Sequence, residues 1–249
     1  MTDYSKFENL GFDSFRELAG DASLSRHEKV GFPDAYREGK EDAIFQDILS
    51  KLPILSETGK TILDIGPGCS GLPLRLMELC EAQGHRLLFI DSQEMLDHLP
   101  DAPFVHKHPG RFPNVPGVLE KYKNQVDGIL VYSVIQYVFS DDNIHRFFDD
   151  IISLLSDGGE VMIGDIPNVA MRKRFFASPA GVALHKEFTG KDEEPGIIFN
   201  QPEYGSIDDG VILGLLARAR AFGLHAWVVP QAINLPMSNR REDLILKKP

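Results

Sequence analysis

The chain has 249 residues, 43% of them hydrophobic, and a formal net charge of −11, which suits one large α/β domain, or one domain with a sizeable insertion, around a substantial core. So acidic a chain is unsuited to sequence-independent nucleic-acid binding, which needs a basic surface, and its one basic cluster, Arg172-Lys173-Arg174, reads as a solvated loop. No apolar run approaches the roughly 20 residues of a membrane span, and MTDYSKFENLGF lacks the basic and apolar regions of a signal peptide, so a cytoplasmic protein is expected.

The first 55 residues read as a polar, helical cap segment (1–55) ahead of a main domain (56–249). Within the cap, SLSRHEKVGFPDAYREG reads as a loop, and 41–52 places Ile44, Phe45, Ile48 and Leu52 at helical spacing. Strands and helices then alternate. A strand at 61–65 runs into the glycines of ILDIGPGCSG, and a helix follows at 72–82 with Pro73 in its first turn. Cys69 and Cys80 fall in this region; two cysteines make no disulfide framework and show no zinc spacing, so both are expected as reduced thiols.

RLLFI (86–90) is a second strand, and another helix begins within 92–99. Residues 104–106 read as a short third strand and VDGILVY (126–132) as a fourth. The next helix, 142–155, sets Ile144, Phe147, Phe148, Ile151, Ile152 and Leu155 on one face behind Asp141-Asp142. EVMIG (160–164) is a fifth strand. Residues 166–205 then intervene, far longer than an ordinary connection. A helix at 206–221, with Ser206 and Asp209 as a capping box, precedes two strands at 225–229 and 244–248. No helix separates those two, so they should pair antiparallel at one edge. The alternation as a whole predicts a parallel sheet covered on both faces.

The GxGxxG of Gly66, Gly68 and Gly71 lies between a strand and a helix, where backbone N–H groups and a helix N-terminus face the carboxyl edge of the sheet. Either NAD or S-adenosylmethionine (SAM) fits such a turn, and Asp91, at the end of LLFID, suits the ribose hydroxyls of both. Two features favour SAM. Asp64, two residues before the first glycine, opposes a pyrophosphate but not a sulfonium or an amino group. The turn also follows about 60 residues of prelude, and the chain closes with an antiparallel strand, unlike most dinucleotide domains.

ILDIGPGCSG, the acid of LLFIDSQEML, VDGILVYSVIQYV and LLSDGGEVMIGDI stand in the order and at the spacing of class I SAM-dependent methyltransferases, which the chain resembles over about residues 40–165 and the closing strand pair. The resemblance implies a Rossmann-like α/β fold: a mostly parallel seven-stranded sheet with an antiparallel last strand and helices on both faces. It also implies SAM as cofactor. By position, Gly66, Pro67, Gly68 and Cys69 would pack against the methionine part, with Asp64 orienting the turn or the amino group. Asp91 would bind the ribose hydroxyls, with Ser92 and Met95 beside the adenine. Gly110, Arg111 and Phe112 would flank the base; Tyr132, Ser133 and Val134 would line the floor near the sulfonium. Ordinary turn glycines, and plain core packing for Met95 and Phe112, are the alternatives.

Methyl transfer to a neutral amine needs no base, whereas a sugar-type hydroxyl usually does. Candidate bases at the sheet edge are Asp165, His108 and His185, and Tyr137 is placed to orient an acceptor. No metal is expected: the fourth strand ends in Tyr132-Ser133, not an acid, and His106 with His108 makes no site. The 166–205 insertion, the loop between the last strands and RHEKVGFPDAYR lie over the same edge, as an enclosure for a small polar molecule. Arg37, Arg172, Arg240 and Arg241 suit a phosphate or carboxylate on it, or else structural ion pairs. More loosely, GDIPN, RKRFF and LPMSNRREDLILKKP resemble methyltransferases of bacterial surface-glycan and small-molecule biosynthesis. That implies O-methylation of a sugar or nucleotide-linked sugar. N-methylation of a small amine or peptide is the alternative; an NAD(P)-dependent oxidoreductase and a non-catalytic SAM-binding partner are the rival classes. The expected partner is a small polar substrate, not nucleic acid or a membrane. The aromatic insertion also suits packing against a second subunit, in a homodimer.

Overall fold

The computed structural model describes residues 10–249. Four helices come first: α1 (Phe12–Gly20), α2 (Arg26–Lys29), α3 (Asp34–Arg37) and α4 (Glu41–Lys51). The sheet begins with β1 (Thr61–Ile65), α5 (Gly71–Gln83), β2 (Arg86–Asp91), α6 (Gln93–Leu96) and β3 (Val105–Pro109). Next come α7 (Val118–Tyr122), β4 (Val126–Tyr132), α8 (Ile135–Asp141), α9 (Ile144–Leu154) and β5 (Leu155–Pro167). The chain closes with α10 (Val169–Phe176), α11 (Pro179–Thr189), α12 (Asp209–Ala221), β6 (His225–Pro230) and β7 (Arg241–Lys247).

Side chains alternate across a strand, so apolar runs bury both of its faces. Leu63, Ile65, Leu88, Ile90, Ile129 and Val131 enter one core with α7, α8, α9 and α12. Ile62, Leu87, Phe89, Leu130 and Met162 enter the other with α4 and α5. Phe147, Phe148, Ile151 and Leu154 are the buried stripe of α9. The strand order is β3-β2-β1-β4-β5-β7-β6. All neighbours are parallel except β7, which runs antiparallel to both β5 and β6. The predicted antiparallel closing pair is therefore present, with β7 inserted between β5 and β6. Order reverses at β1, so the carboxyl ends of β1 and its neighbours β2 and β4 open a crevice there.

Several elements differ from expectation. The cap loop contains the short helices α2 and α3, and α8 follows β4 directly. The helix expected over 206–221 begins later, because Asp208 and not Ser206 is the cap: its Oδ1 accepts from the Val211 N–H at 3.1 Å. Asn143, rather than Asp141-Asp142, caps α9 through the Arg146 N–H at 3.0 Å. The 166–205 insertion is largely helical, as α10 and α11. Strand β5 continues past Gly164 through a register shift between Ile163 and Ile166. Among the described residues, no helix is long and apolar enough to cross a membrane.

Candidate functional site

After β1 the chain passes through Gly66 (φ 74°) and Gly68 (φ 63°), both left-handed, a backbone region open to glycine at little cost. Space forbids side chains as well. A Cβ on Gly66 would lie 2.6 Å from Val134 Cγ2, and one on Gly68 2.5 Å from Val30 Cγ1. The bare turn borders a cavity of about 160 Å³, roughly ten times what a single water requires.

The cavity runs across the carboxyl ends of four strands. Gly66, Pro67 and Gly68 follow β1, Asp91 and Met95 follow or end β2, Gly110, Arg111 and Phe112 follow β3, and Tyr132, Ser133 and Val134 end or follow β4. These expected cofactor residues all line it. Asp91 ties two of the strand ends together: Oδ2 accepts from the Gly68 N–H at 3.0 Å and Oδ1 from the Ser92 N–H at 2.7 Å. Burial nevertheless pushes its pKa up to about 6, against those two hydrogen bonds.

Asp64, Cys69 and Ser92 do not line the cavity. Ile65 points into it, so its neighbour Asp64 must point to the opposite face, where its charge helps raise the Cys80 thiol. Buried to 3% exposure, Asp64 has a pKa well above the carboxylate range, from burial and then from Asp91. Lying outside the cavity, it does not bear on which cofactor the turn takes. Cys69 packs with Ala19 and Met95, and Ser92 is the buried cap of α6, accepting from the Met95 N–H at 3.2 Å. Burial pushes the two thiols up to about 11 (Cys69) and about 12 (Cys80).

At the other end of the cavity, Ser133 (φ 59°) and Asp165 (φ 60°) are left-handed although neither is glycine. Such residues cost about 1–3 kcal/mol and persist where their surroundings fix them. Arg37 does so: its Nη2 donates to Ser133 Oγ at 2.8 Å and to Asp165 Oδ2 at 2.7 Å. Ser133 Oγ also donates to Asp165 Oδ2. Arg241 Nη1 reaches the same carboxylate oxygen at 2.6 Å, and Gln231 Nε2 reaches Oδ1 at 3.3 Å. Behind them the Asp165 N–H donates to Asp243, which binds Lys51.

This corrects the expected base. Burial would raise the Asp165 pKa, but Arg241 and Arg37 outweigh it and hold it below the ordinary value. Asp165 is not a cavity-lining group; it anchors two arginines. His108 faces Tyr122, Nε2 to Oη 3.2 Å, and lies outside the cavity with a pKa lowered by burial and by Lys121. His185 stands 6.4 Å from the Phe176 ring on α11, also outside. Only Tyr137 of the expected catalytic residues lines the cavity; burial raises its pKa and keeps the phenol protonated. Of the four arginines, Arg37 alone lines it. Arg172 pairs with Glu203 at 2.7 Å, Arg240 lies 5.6 Å from the Phe176 ring, and Arg241 acts through Asp165.

No residue of the 166–205 insertion lines the cavity; the cap segment closes it instead, through Phe12, Phe15, His27, Val30, Phe32 and Glu41. Phe15 packs edge-on against Tyr137 at 4.8 Å. His27 bridges Asp34 (Nδ1, 3.0 Å) and Glu41 (Nε2, 2.5 Å). Burial disfavours its charge, but the two carboxylates outweigh it and raise the pKa. His27, Val30 and Phe32 lie in RHEKVGFPDAYR, expected over this edge, and Glu41 opens the helix read at 41–52; Phe12 and Phe15 carry no such signal in the sequence.

No protein-family model and no curated protein matches the chain. Solved structures do. The methyltransferase partner in the complex with the Haloferax volcanii Trm112 methyltransferase activator aligns with a TM-score of 0.61 and 15% identity, over 94% of this chain and 97% of that one. The N-methyltransferase NodS of Bradyrhizobium japonicum WM9, bound to S-adenosyl-L-homocysteine (SAH), gives 0.58 and 13%, over 96% and 98%. The plantazolicin methyltransferase BpumL, with SAH and a monoazolic desmethylPZN analogue, gives 0.57 and 14%, over 98% of each chain. At such identities the likeness establishes the fold: the chain has the Rossmann-like fold of class I SAM-dependent methyltransferases.

Proposed function

We propose that the protein is a SAM-dependent methyltransferase acting on a small polar molecule. One observation carries this reading: a side-chain-free glycine turn and a half-buried carboxylate, Asp91, meet at the switch point of the sheet and open into a single cavity that continues to Ser133 and Arg37. Asp91 would accept from the ribose hydroxyls, Met95 and Gly110 to Phe112 would flank the base, and Gly66 to Gly68 would take the methionyl part above Tyr132 to Val134. SAM supplies a methyl group on a sulfonium, ready for in-line displacement; the chain supplies position and excludes water. In this reading the described part of the 1–55 cap segment, residues 10–55, closes the 56–249 domain; its residues 1–9 lie outside the described residues.

The two acceptor readings need different things from the cavity. O-methylation of a sugar or nucleotide-linked sugar needs a base near the hydroxyl. Asp165 is spent on arginines, His108 and His185 lie outside, and Tyr137 keeps its proton. N-methylation of a small amine or peptide needs only the neutral amine, so the geometry favours nitrogen over a sugar oxygen. SAH release from SAM, measured against matched panels of small amines, short peptides, sugars and nucleotide sugars, tests this. Turnover is expected among the amines or peptides. Turnover confined to the sugars would restore the hydroxyl reading. SAM bound but never turned over by either panel would favour a non-catalytic binding partner.

The insertion supports its second reading better than its first. Phe188, Ile198, Phe199 and Tyr204 are exposed on and after α11, as a surface for a second subunit presents them. A homodimer and a cytoplasmic location, consistent with two free buried cysteines, complete the proposal.

A further inference from the structure

Arg37 is a cation held in place at one end of the cavity, beside Ser133. It lines the cavity, and its side chain is 11% exposed. Nη2 is occupied by Ser133 and Asp165, and the Asp165 carboxylate is already shared with Arg241. The Phe32 ring lies 4.0 Å from the guanidinium carbon and the Tyr132 ring 5.8 Å. Nε is buried and has no acceptor among the described residues.

Three carboxylates line the cavity. Glu41 binds His27, Asp91 binds the glycine turn, and Asp141 lies at the β3 end, where its carbonyl accepts from Arg111. None of them bonds to Arg37. A guanidinium presents a planar fork of donors matched to carboxylate and phosphate, and a buried donor without an acceptor is the kind of group a ligand completes.

We propose that Arg37 selects acceptors that carry a carboxylate or phosphate, with Asp165 as the positioning residue that fixes its guanidinium. The inference rests on the methyltransferase reading above and names the acceptor class for the same cavity. Phe15, Phe32 and Tyr137 line that cavity too, so the acid is attached to a body that stacks on rings or packs against them.

Calorimetric titration of the SAH-loaded protein with matched pairs tests the proposal: phenylalanine and phenylalaninamide, phenylacetate and phenylacetamide, glucose 6-phosphate and glucose. In at least one pair the acid should bind about tenfold tighter than its neutral mate, roughly the 1.4 kcal/mol of one charge-assisted bond. Arg37→Gln should abolish that preference, Arg37→Lys should keep part of it, and Asp165→Asn should weaken the acid while leaving the neutral mate unchanged. Equal binding of acid and mate across all pairs in the unaltered protein overturns the proposal without reference to any variant. So does a loss of SAH affinity in Arg37→Gln with the acid preference intact, because Arg37 would then serve the carboxylate of the cofactor. Failure of SAH to bind the unaltered protein would remove the methyltransferase reading itself.

Discussion

Asp91, half-buried at the end of β2, and Asp165, buried at the register shift of β5, are both acids at the carboxyl edge of the sheet, yet their surroundings drive them apart. Asp91 meets only backbone N–H groups, and burial carries its pKa to about 6; Asp165 meets two guanidinium groups and stays ionised well below that. If Asp91 accepts from ribose hydroxyls, each charge-assisted bond contributes about 1.5–3 kcal/mol. Asp91→Ala should therefore weaken SAH binding at least about tenfold and leave the fold intact. Protonation removes acceptor capacity, so the affinity of the unaltered protein should fall as pH drops through about 6, whereas Asp91→Ala should titrate flat. Calorimetry between about pH 5 and pH 8 reads both effects. Stability moves the other way: with its folded pKa raised, this group favours the folded state more as pH falls from 6 towards the ordinary carboxylate range. Asp91 was legible because it ends an apolar strand beside a glycine turn. The role of Asp165 was not: the partners that turn a candidate base into an anchor, Arg37 and Arg241, come from distant segments.

The cap segment depends on contacts between elements more than on the propensity of its own short helices. His27 on α2 joins Asp34 at the start of α3 to Glu41 at the start of α4, and Arg75 of α5 adds its charge beside Glu41. Val30 then rests on Gly68 and Phe15 on Tyr137. Because the His27 pKa is raised in the folded state, its stabilisation is complete below about pH 6.5 and is lost as pH rises through the higher folded value. His27→Ala should cost about 1–2 kcal/mol at pH 6, mostly through Glu41, since Asp34 is half-exposed and screened. Thermal melts should show the gap to the unaltered protein narrowing as pH rises above about 6.5; a gap constant with pH would contradict the latch. Helices of two or more turns with a clear apolar stripe, such as α4 and α9, could be read from spacing. The single-turn helices α2 and α3 are set by packing against the cavity, which leaves no periodic mark, and the α12 cap was misplaced because Ser206 and Asp208 are both plausible cap residues.

Across the whole molecule, alternating strands and helices foretold a parallel sheet, and the missing helix before the last strand foretold the antiparallel β7. The strand order itself came through resemblance, since local patterns do not say which strands are neighbours. The closure of the cavity was assigned to three segments, of which RHEKVGFPDAYR supplies His27, Val30, Phe32 and Arg37, whereas the insertion that length singled out and the loop between the last strands supply no lining residue. Methyltransferase and dinucleotide readings share the glycine turn and Asp91, and Asp64, outside the cavity, does not separate them, so the cofactor is the central claim. Thermal unfolding with SAH and with NAD tests it most directly. A ligand at 100 times its dissociation constant adds about 2.7 kcal/mol, which for a chain of this length raises Tm by roughly 5–10 °C. SAH should produce that rise and NAD should not; a rise with NAD and none with SAH would contradict the assignment.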